Sequence, residues 1–195
     1  LVLAGYLAGS LPFGLLLGRA VLKVDVRTVG SGNIGATNVA RTLGKGAGVL
    51  TLVLDAGKGI FALALARLFL EGPAYLWLAL VGGAAFLGHV FSIYLRFKGG
   101  KGVATAFGVV LFLSPETAFV LIVLFAAVLY FTRYVSLGSL CAAVALPVTM
   151  ALLGKSREYV TLALLMGFLV IYTHRENIHR LLSGEESKFR APGKE

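Results

Sequence analysis

Long apolar blocks alternate with short polar breaks along almost the whole chain. Their lengths predict membrane spans over about 1–22, 46–70, 74–95, 102–114, 117–132, 137–153 and 159–173. A helix needs about 20 apolar residues to cross a bilayer. In lipid the backbone must satisfy its own hydrogen bonds, so helices are the expected element. The fold class is therefore all-α: a polytopic integral membrane protein with about seven transmembrane helices. The fourth block is short, and Ser114-Pro115-Glu116 interrupts it, so 102–132 can also be drawn as one kinked helix. Pro12 is expected to kink the first span. Gly5/Gly9 and Gly14/Gly18, each four apart, allow close helix approach. Asp55 and Lys58 lie three apart within the second span, share a face and can pair. The block opening at Leu1 has no basic region before it and reads as a first span rather than a cleaved signal. Residues 1–183 are expected to form a single membrane domain, with 184–195 a charged, poorly ordered tail.

Composition sharpens this picture. Of 195 residues, 58% are hydrophobic and 14% charged, with a mean hydropathy of +0.89, too apolar for a soluble domain. The net charge of +9 raises nucleic acid as a partner, but the cations sit in short loops between apolar blocks, the pattern of membrane orientation. With seven spans, the loops at 23–45, 96–102 and 133–136 share one face with the tail. That face holds 14 of the 18 Lys and Arg, whereas Arg67, Lys155 and Arg157 face the other side. Positive-inside bias places the N-terminus outside and the C-terminus in the cytoplasm. The single Cys141 excludes a disulfide framework, and no group of residues has metal-ligand spacing.

Four polar clusters then fall on one face. In 96–102, Arg96, Lys98 and Lys101 alternate with Gly99, Gly100 and Gly102. Glycine lets backbone N–H groups approach an anion, and the following helix adds its positive end, so a phosphate is the natural guest. A basic loop anchored to lipid headgroups is the alternative. The second cluster contains Gly30, Ser31, Gly32, Asn33, Gly35, Thr37, Asn38 and Arg41. Its Gly-x-Gly-x-x-Gly string matches a dinucleotide fingerprint, but it follows a membrane helix instead of a strand, which rules out that reading. There remain backbone N–H groups, hydrogen-bonding side chains, and a guanidinium able to hold phosphate with two parallel bonds. The third cluster is 136–139, with Ser139. In the fourth, His174 and Asn177 share a helix face, and Glu176, four before Arg180, is placed to orient a cation. An interfacial amphipathic helix explains the fourth cluster equally. His89 reads as an interior histidine or a catalytic one, and Asp55/Lys58 as a structural pair. Absences count too: no His is followed by Asp five residues on, and there is no Gly-x-Ser-x-Gly elbow.

At these residues the chain resembles the bacterial acyl-phosphate:glycerol-3-phosphate acyltransferases, the PlsY family. The resemblance covers nearly the whole chain. It rests on Gly30-Ser-Gly-Asn-Ile-Gly-Ala-Thr-Asn-Val-Ala-Arg41, on Gly88-His89 with Lys98-Gly-Gly-Lys-Gly-Val-Ala-Thr105, and on His174-Arg-Glu-Asn-Ile178. It implies seven helices in the bacterial inner membrane, a cytoplasmic site, and acyl transfer to the 1-hydroxyl of glycerol 3-phosphate, giving lysophosphatidic acid. The expected catalytic residues are Ser31, Arg41, Lys101, His174 and Asn177, around the glycerol-3-phosphate phosphate. The acyl-phosphate head is expected on the 98–102 loop and the 30–35 backbone, though the two pockets are exchangeable. Asn33, Thr37, Asn38, Lys58, His89, Lys98, Ser139 and Glu176, with Gly30, Gly32, Gly35, Gly99, Gly100 and Gly102, complete the expected substrate-binding set. His89 or His174 is the protein candidate for general base, with a substrate or leaving phosphate the other. No metal or cofactor is expected. The expected partners are the two substrates, membrane lipid and the enzyme that makes the acyl phosphate. A transporter for an anionic phosphate metabolite is the competing class, although no repeated half is visible.

Overall fold

The computed structural model describes residues 1–189; Arg190 and the rest of the expected tail, including Lys194, lie outside the described residues. The described residues carry helices and turns and no strand. Helix α1 runs Val2–Ser10, α2 Phe13–Leu22, α3 Ala36–Leu43, α4 Lys45–Arg67, α5 Tyr75–Val90, α6 Val103–Leu113, α7 Pro115–Thr132, α8 Val135–Leu152, α9 Arg157–Thr173 and α10 Arg175–Leu182. Five segments are long and apolar enough to cross a membrane: Val2–Val21, Lys45–Arg67, Tyr75–Leu95, Pro115–Thr132 and Val135–Leu152. Their outward residues, such as Leu3, Val53, Phe61, Trp77, Phe119 and Val148, are large, apolar and exposed, as a lipid-facing surface requires. Helices α6 and α9, with 11 and 17 residues, fall below that length.

Two expectations are sharpened here. Pro12 does not kink the first span; it breaks it. The chain leaves helical geometry at Leu11, and α2 starts afresh at Phe13. Likewise 102–132 is two helices rather than one bent helix. Ser114 caps α7 by accepting the Thr117 N–H at 3.3 Å, with Pro115 at the first helical position.

By its contacts the chain divides into two compact units, Leu1–Leu113 and Ser114–Glu195. In unit 1, α1 packs on α5, α4 on α6, and α3 on α4. Glycine makes the first of these possible, since a Cβ on Gly9 would strike the Ala85 backbone and one on Gly88 the Tyr6 carbonyl. Leu15, Val26, Ile34, Val39 and Leu95 form a buried cluster beneath the polar stretch that follows α2. In unit 2, α8 lies against both α7 and α9, and α10 touches α8 and α9.

Candidate functional site

The polar stretch between α2 and α3 is built around one side chain. Asn38, 2% exposed, directs its amide nitrogen at the carbonyls of Val26, Val29 and Asn33 (3.0, 3.2 and 2.8 Å), and its Oδ1 accepts the Ser31 N–H at 2.8 Å. Gly30 and Gly32 take positive φ (59° and 69°), and a Cβ on Gly30 would collide with Asn38 Oδ1. The Gly32 N–H bonds to Val29 O at 3.1 Å and the Gly35 N–H to Asn33 Oδ1 at 2.7 Å. The string therefore differs from its expected form in one respect: three of its N–H groups are committed inside the loop instead of turned to a ligand. Asn38, expected to contact substrate, has both amide hydrogens committed to backbone. What the loop presents outward is the exposed Ser31 and, from the last turn of α3, the exposed Arg41, with Asn33 and Thr37 half-buried. At its entry Asp25 bonds Arg27 and Arg19 (2.6 and 2.9 Å); Arg27 above all holds this carboxyl well below the usual carboxylate range.

The second stretch follows α5. A short 3-10 turn, Ile93–Leu95, leads to Arg96 and Phe97, both at positive φ, and reverses the chain. The Ser92 hydroxyl donates to Ser10 O at 2.6 Å, and the Tyr6 hydroxyl to Phe91 O at 2.6 Å, tying this turn to α1. Beyond it the Gly99 and Gly100 N–H groups donate to Val90 O and His89 O (3.0 and 3.1 Å). Here too two of the expected anion-facing N–H groups, those of Gly99 and Gly100, are already paired. The glycines serve close approach: a Cβ on Gly100 would meet the His89 ring at Nε2, and one on Gly102, at φ 83°, the Phe86 ring. Lys98 is exposed and Lys101 half-buried, so the loop offers ammonium groups from a backbone laid on the end of α5.

Lys58 and His89, read from the sequence as substrate ligands, lie behind that loop. They are 4% and 3% exposed, and Asp55 is 2% exposed. Lys58 Nζ is 2.8 Å from Asp55 Oδ1, the pair their spacing predicted, and donates to Leu11 O, also at 2.8 Å, where Pro12 has broken the helix. His89 Nδ1 stands 3.6 Å from Asp55 Oδ1.

In unit 2, His174 links α9 to α10, buried, with Nδ1 donating to Val170 O at 2.7 Å. That bond places the neutral ring's lone pair on Nε2. Asn177, also buried, donates to Glu186 Oε1 at 2.7 Å. Ser136 donates to the same oxygen at 2.7 Å, and Arg180 Nε to Oε2 at 2.8 Å. The cation of α10 is thus held by Glu186; Glu176, expected to orient it, is exposed. Burial opposes the charge of Glu186, 9% exposed, yet the bonds from Arg180, Ser136 and Asn177 outweigh it and hold the carboxyl below its ordinary value. Glu186 lies in the segment expected to be a loose tail, and nothing in local sequence distinguishes it from the neighbouring Glu185. Ser139 is buried with its hydroxyl proton on Val135 O at 2.9 Å.

The chain is thus of the class of all-helical, polytopic integral membrane proteins, with polar breaks that present guanidinium, ammonium and hydroxyl groups beside glycines. Comparison with known proteins narrows the class. The sequence profile of the glycerol-3-phosphate acyltransferase family matches residues 1–184. A glycerol-3-phosphate acyltransferase of Geotalea daltonii is 50% identical over 97% of this chain and 96% of its own. One of Anaeromyxobacter dehalogenans is 52% identical over 96% and 95%. Crystal structures of PlsY, an integral membrane glycerol 3-phosphate acyltransferase, superpose with TM-scores of 0.90 for its glycerol 3-phosphate form and 0.86 for its lysophosphatidic acid form. Identities are 41% and 40%; each covers 97% of this chain, and 94% and 93% of the respective PlsY chains. The chain belongs to the glycerol-3-phosphate acyltransferase family.

Proposed function

We propose that this protein moves a fatty acyl group from acyl phosphate to the 1-hydroxyl of glycerol 3-phosphate, releasing lysophosphatidic acid and inorganic phosphate. The observation that carries the acceptor is the relative at TM-score 0.90, whose structure is a glycerol 3-phosphate form. The donor is supported by what the sequence lacks. With no His-x-x-x-x-Asp arrangement to activate the hydroxyl and no nucleophile elbow, a mixed anhydride, already activated and with phosphate as a good leaving group, suits the site. The hydroxyl oxygen attacks the acyl carbonyl, the bond from that carbon to the phosphate oxygen breaks, and no acyl-enzyme forms. The hydroxyl proton passes to a phosphate oxygen, with the His174 Nε2 lone pair as the alternative acceptor. Catalysis comes from holding the reactants in line and from cations facing the phosphates.

Ser31, Arg41, Lys101, His174 and Asn177 are the residues proposed to act on glycerol 3-phosphate. Because the N–H groups of Gly99, Gly100, Ser31, Gly32 and Gly35 are already paired, phosphate is recognised by side chains, with Lys98 as the further cation. Residues 1–183 serve as one acyltransferase domain with seven crossings, the polar clusters facing the cytoplasm of a bacterial inner membrane. The test supplies purified protein in detergent micelles with glycerol 3-phosphate and either acyl phosphate or acyl-CoA. Lysophosphatidic acid and phosphate from acyl phosphate alone are expected. Product from acyl-CoA alone overturns the donor, and no product from either returns transport to first place.

A further inference from the structure

Asp55 and Lys58 on α4 and His89 at the end of α5 are three ionisable side chains inside membrane-spanning helices, each almost fully buried. A charge at such a place costs on the order of several kcal/mol, and an apolar trio of similar volume would pack as well or better. Packing alone therefore does not account for them. Nor are they fully satisfied. Lys58 and Asp55 Oδ1 form an ion pair at 2.8 Å, but His89 Nδ1 stops 3.6 Å from the same oxygen, and both atoms are buried without a well-formed hydrogen bond. The third such buried side-chain atom among the described residues, Thr105 Oγ1, is on the first turn of α6, whose backbone at Thr105 rests on Gly59, next to Lys58. These three atoms thus gather where α4, α5 and the start of α6 meet.

The 99–102 loop crosses that junction. His89 holds it twice: its carbonyl takes the Gly100 N–H, and its ring lies where a Gly100 side chain would begin. Phe86, one turn earlier on α5, fills the same place at Gly102. Lys101 stands between these two contacts, so the imidazole and the phenyl ring together set its backbone. Asp55 faces the other side of the imidazole and is itself fixed by Lys58, which is pinned to Leu11 O at the helix break. A buried ion pair is worth keeping where it specifies one geometry among several.

We propose that Asp55, Lys58 and His89 are positioning residues: a buried polar chain that fixes the 99–102 loop and holds Lys101 where it binds the phosphate of glycerol 3-phosphate. The inference rests on the proposed function for the ligand and on this geometry for the mechanism.

The test is a mutant cycle on purified protein. His89→Ala and the charge-neutral pair Asp55→Asn with Lys58→Met are each combined with Lys101→Ala. The readouts are KM and kcat, the thermal midpoint, and the shift of that midpoint by glycerol 3-phosphate. Each network variant is expected to raise KM between about tenfold and a hundredfold, the cost of displacing a binding group by about an ångström. The unliganded midpoint should stay close to wild type. Combined with Lys101→Ala, neither should raise KM beyond Lys101→Ala alone, because a misplaced lysine and a missing one are equivalent. Losses that multiply, or unchanged kinetics in the network variants, overturn the proposal. If His89→Ala does not fold, His89→Gln and the neutral pair carry the same cycle. If wild type transfers no acyl group, the reaction is wrong, and the glycerol 3-phosphate shift still decides the network through the same variants. No shift in wild type with either glycerol 3-phosphate or inorganic phosphate removes the network's proposed purpose as well.

Discussion

The 30–35 loop and the 99–102 loop each carry three glycines and are held in opposite ways. The first is organised from within by the amide of Asn38, and its glycines at 30 and 32 are needed for positive φ. The second is laid from outside onto the end of α5, and its glycines at 99 and 100 are needed because the His89 and Val90 backbone and the His89 ring leave no room for a Cβ. In both, glycine N–H groups are taken by the protein: those of Gly32 and Gly35 in the first, and of Gly99 and Gly100 in the second. Glycine here signals a tightly specified backbone that carries nearby polar and charged side chains to a fixed place.

That contrast can be broken in order of expected effect. Asn38→Ala removes four bonds at a buried position and should destabilise unit 1 by on the order of 3–5 kcal/mol, with loss of activity. Thermal unfolding in micelles checks this, and a variant as stable as wild type would refute the internal scaffold. Arg41→Lys keeps the charge on the first loop but loses the two-pronged guanidinium. Activity should fall about a hundredfold while the midpoint holds, and near-normal turnover removes Arg41 from the site. Gly100→Ala probes the second loop through its contact with His89 and should raise KM for a phosphate substrate about tenfold. Unchanged kinetics would make that loop a membrane anchor only.

The smallest effect concerns Glu186, a scaffold carboxylate in unit 2 to set beside Asn38. Its folded pKa lies below the ordinary 4.5, so its stabilisation is present above that value and is lost as pH falls through the folded one. Wild-type midpoints should therefore drop on acidification below 4.5 more steeply than those of Glu186→Gln. Parallel curves for the two proteins would show that the carboxylate contributes no such term.

Several of these features were legible beforehand. The helical blocks, the Gly5/Gly9 crossing and the Asp55/Lys58 pair follow from spacing along one chain. Glu186 was not, because its importance lies in Ser136, 50 residues away, and in a turn that follows α10. Pro12 announced a disturbance, but whether the helix bent or broke depended on whether something could donate to the freed carbonyls. Lys58 and Ser92 do so from 47 and 82 residues away. The partners of Asn38 and His89 were hidden for a different reason: a polar side chain beside glycines looks alike in sequence whether it faces a substrate or its own backbone.

By itself the sequence determined an all-helical membrane protein, its apolar blocks and the stretches where its chemistry gathers. These depend on local quantities, since lipid forces each spanning segment to satisfy its own backbone and hydropathy is summed over about 20 neighbouring residues. Only the tertiary structure decided which N–H groups were already taken, which cations stood in front of the loops and which lay buried behind them. A hydrogen bond is settled by the distance and direction of its partner, and in this protein those partners range from Asn33, two residues from Gly35, to Ser92, 82 residues from Ser10.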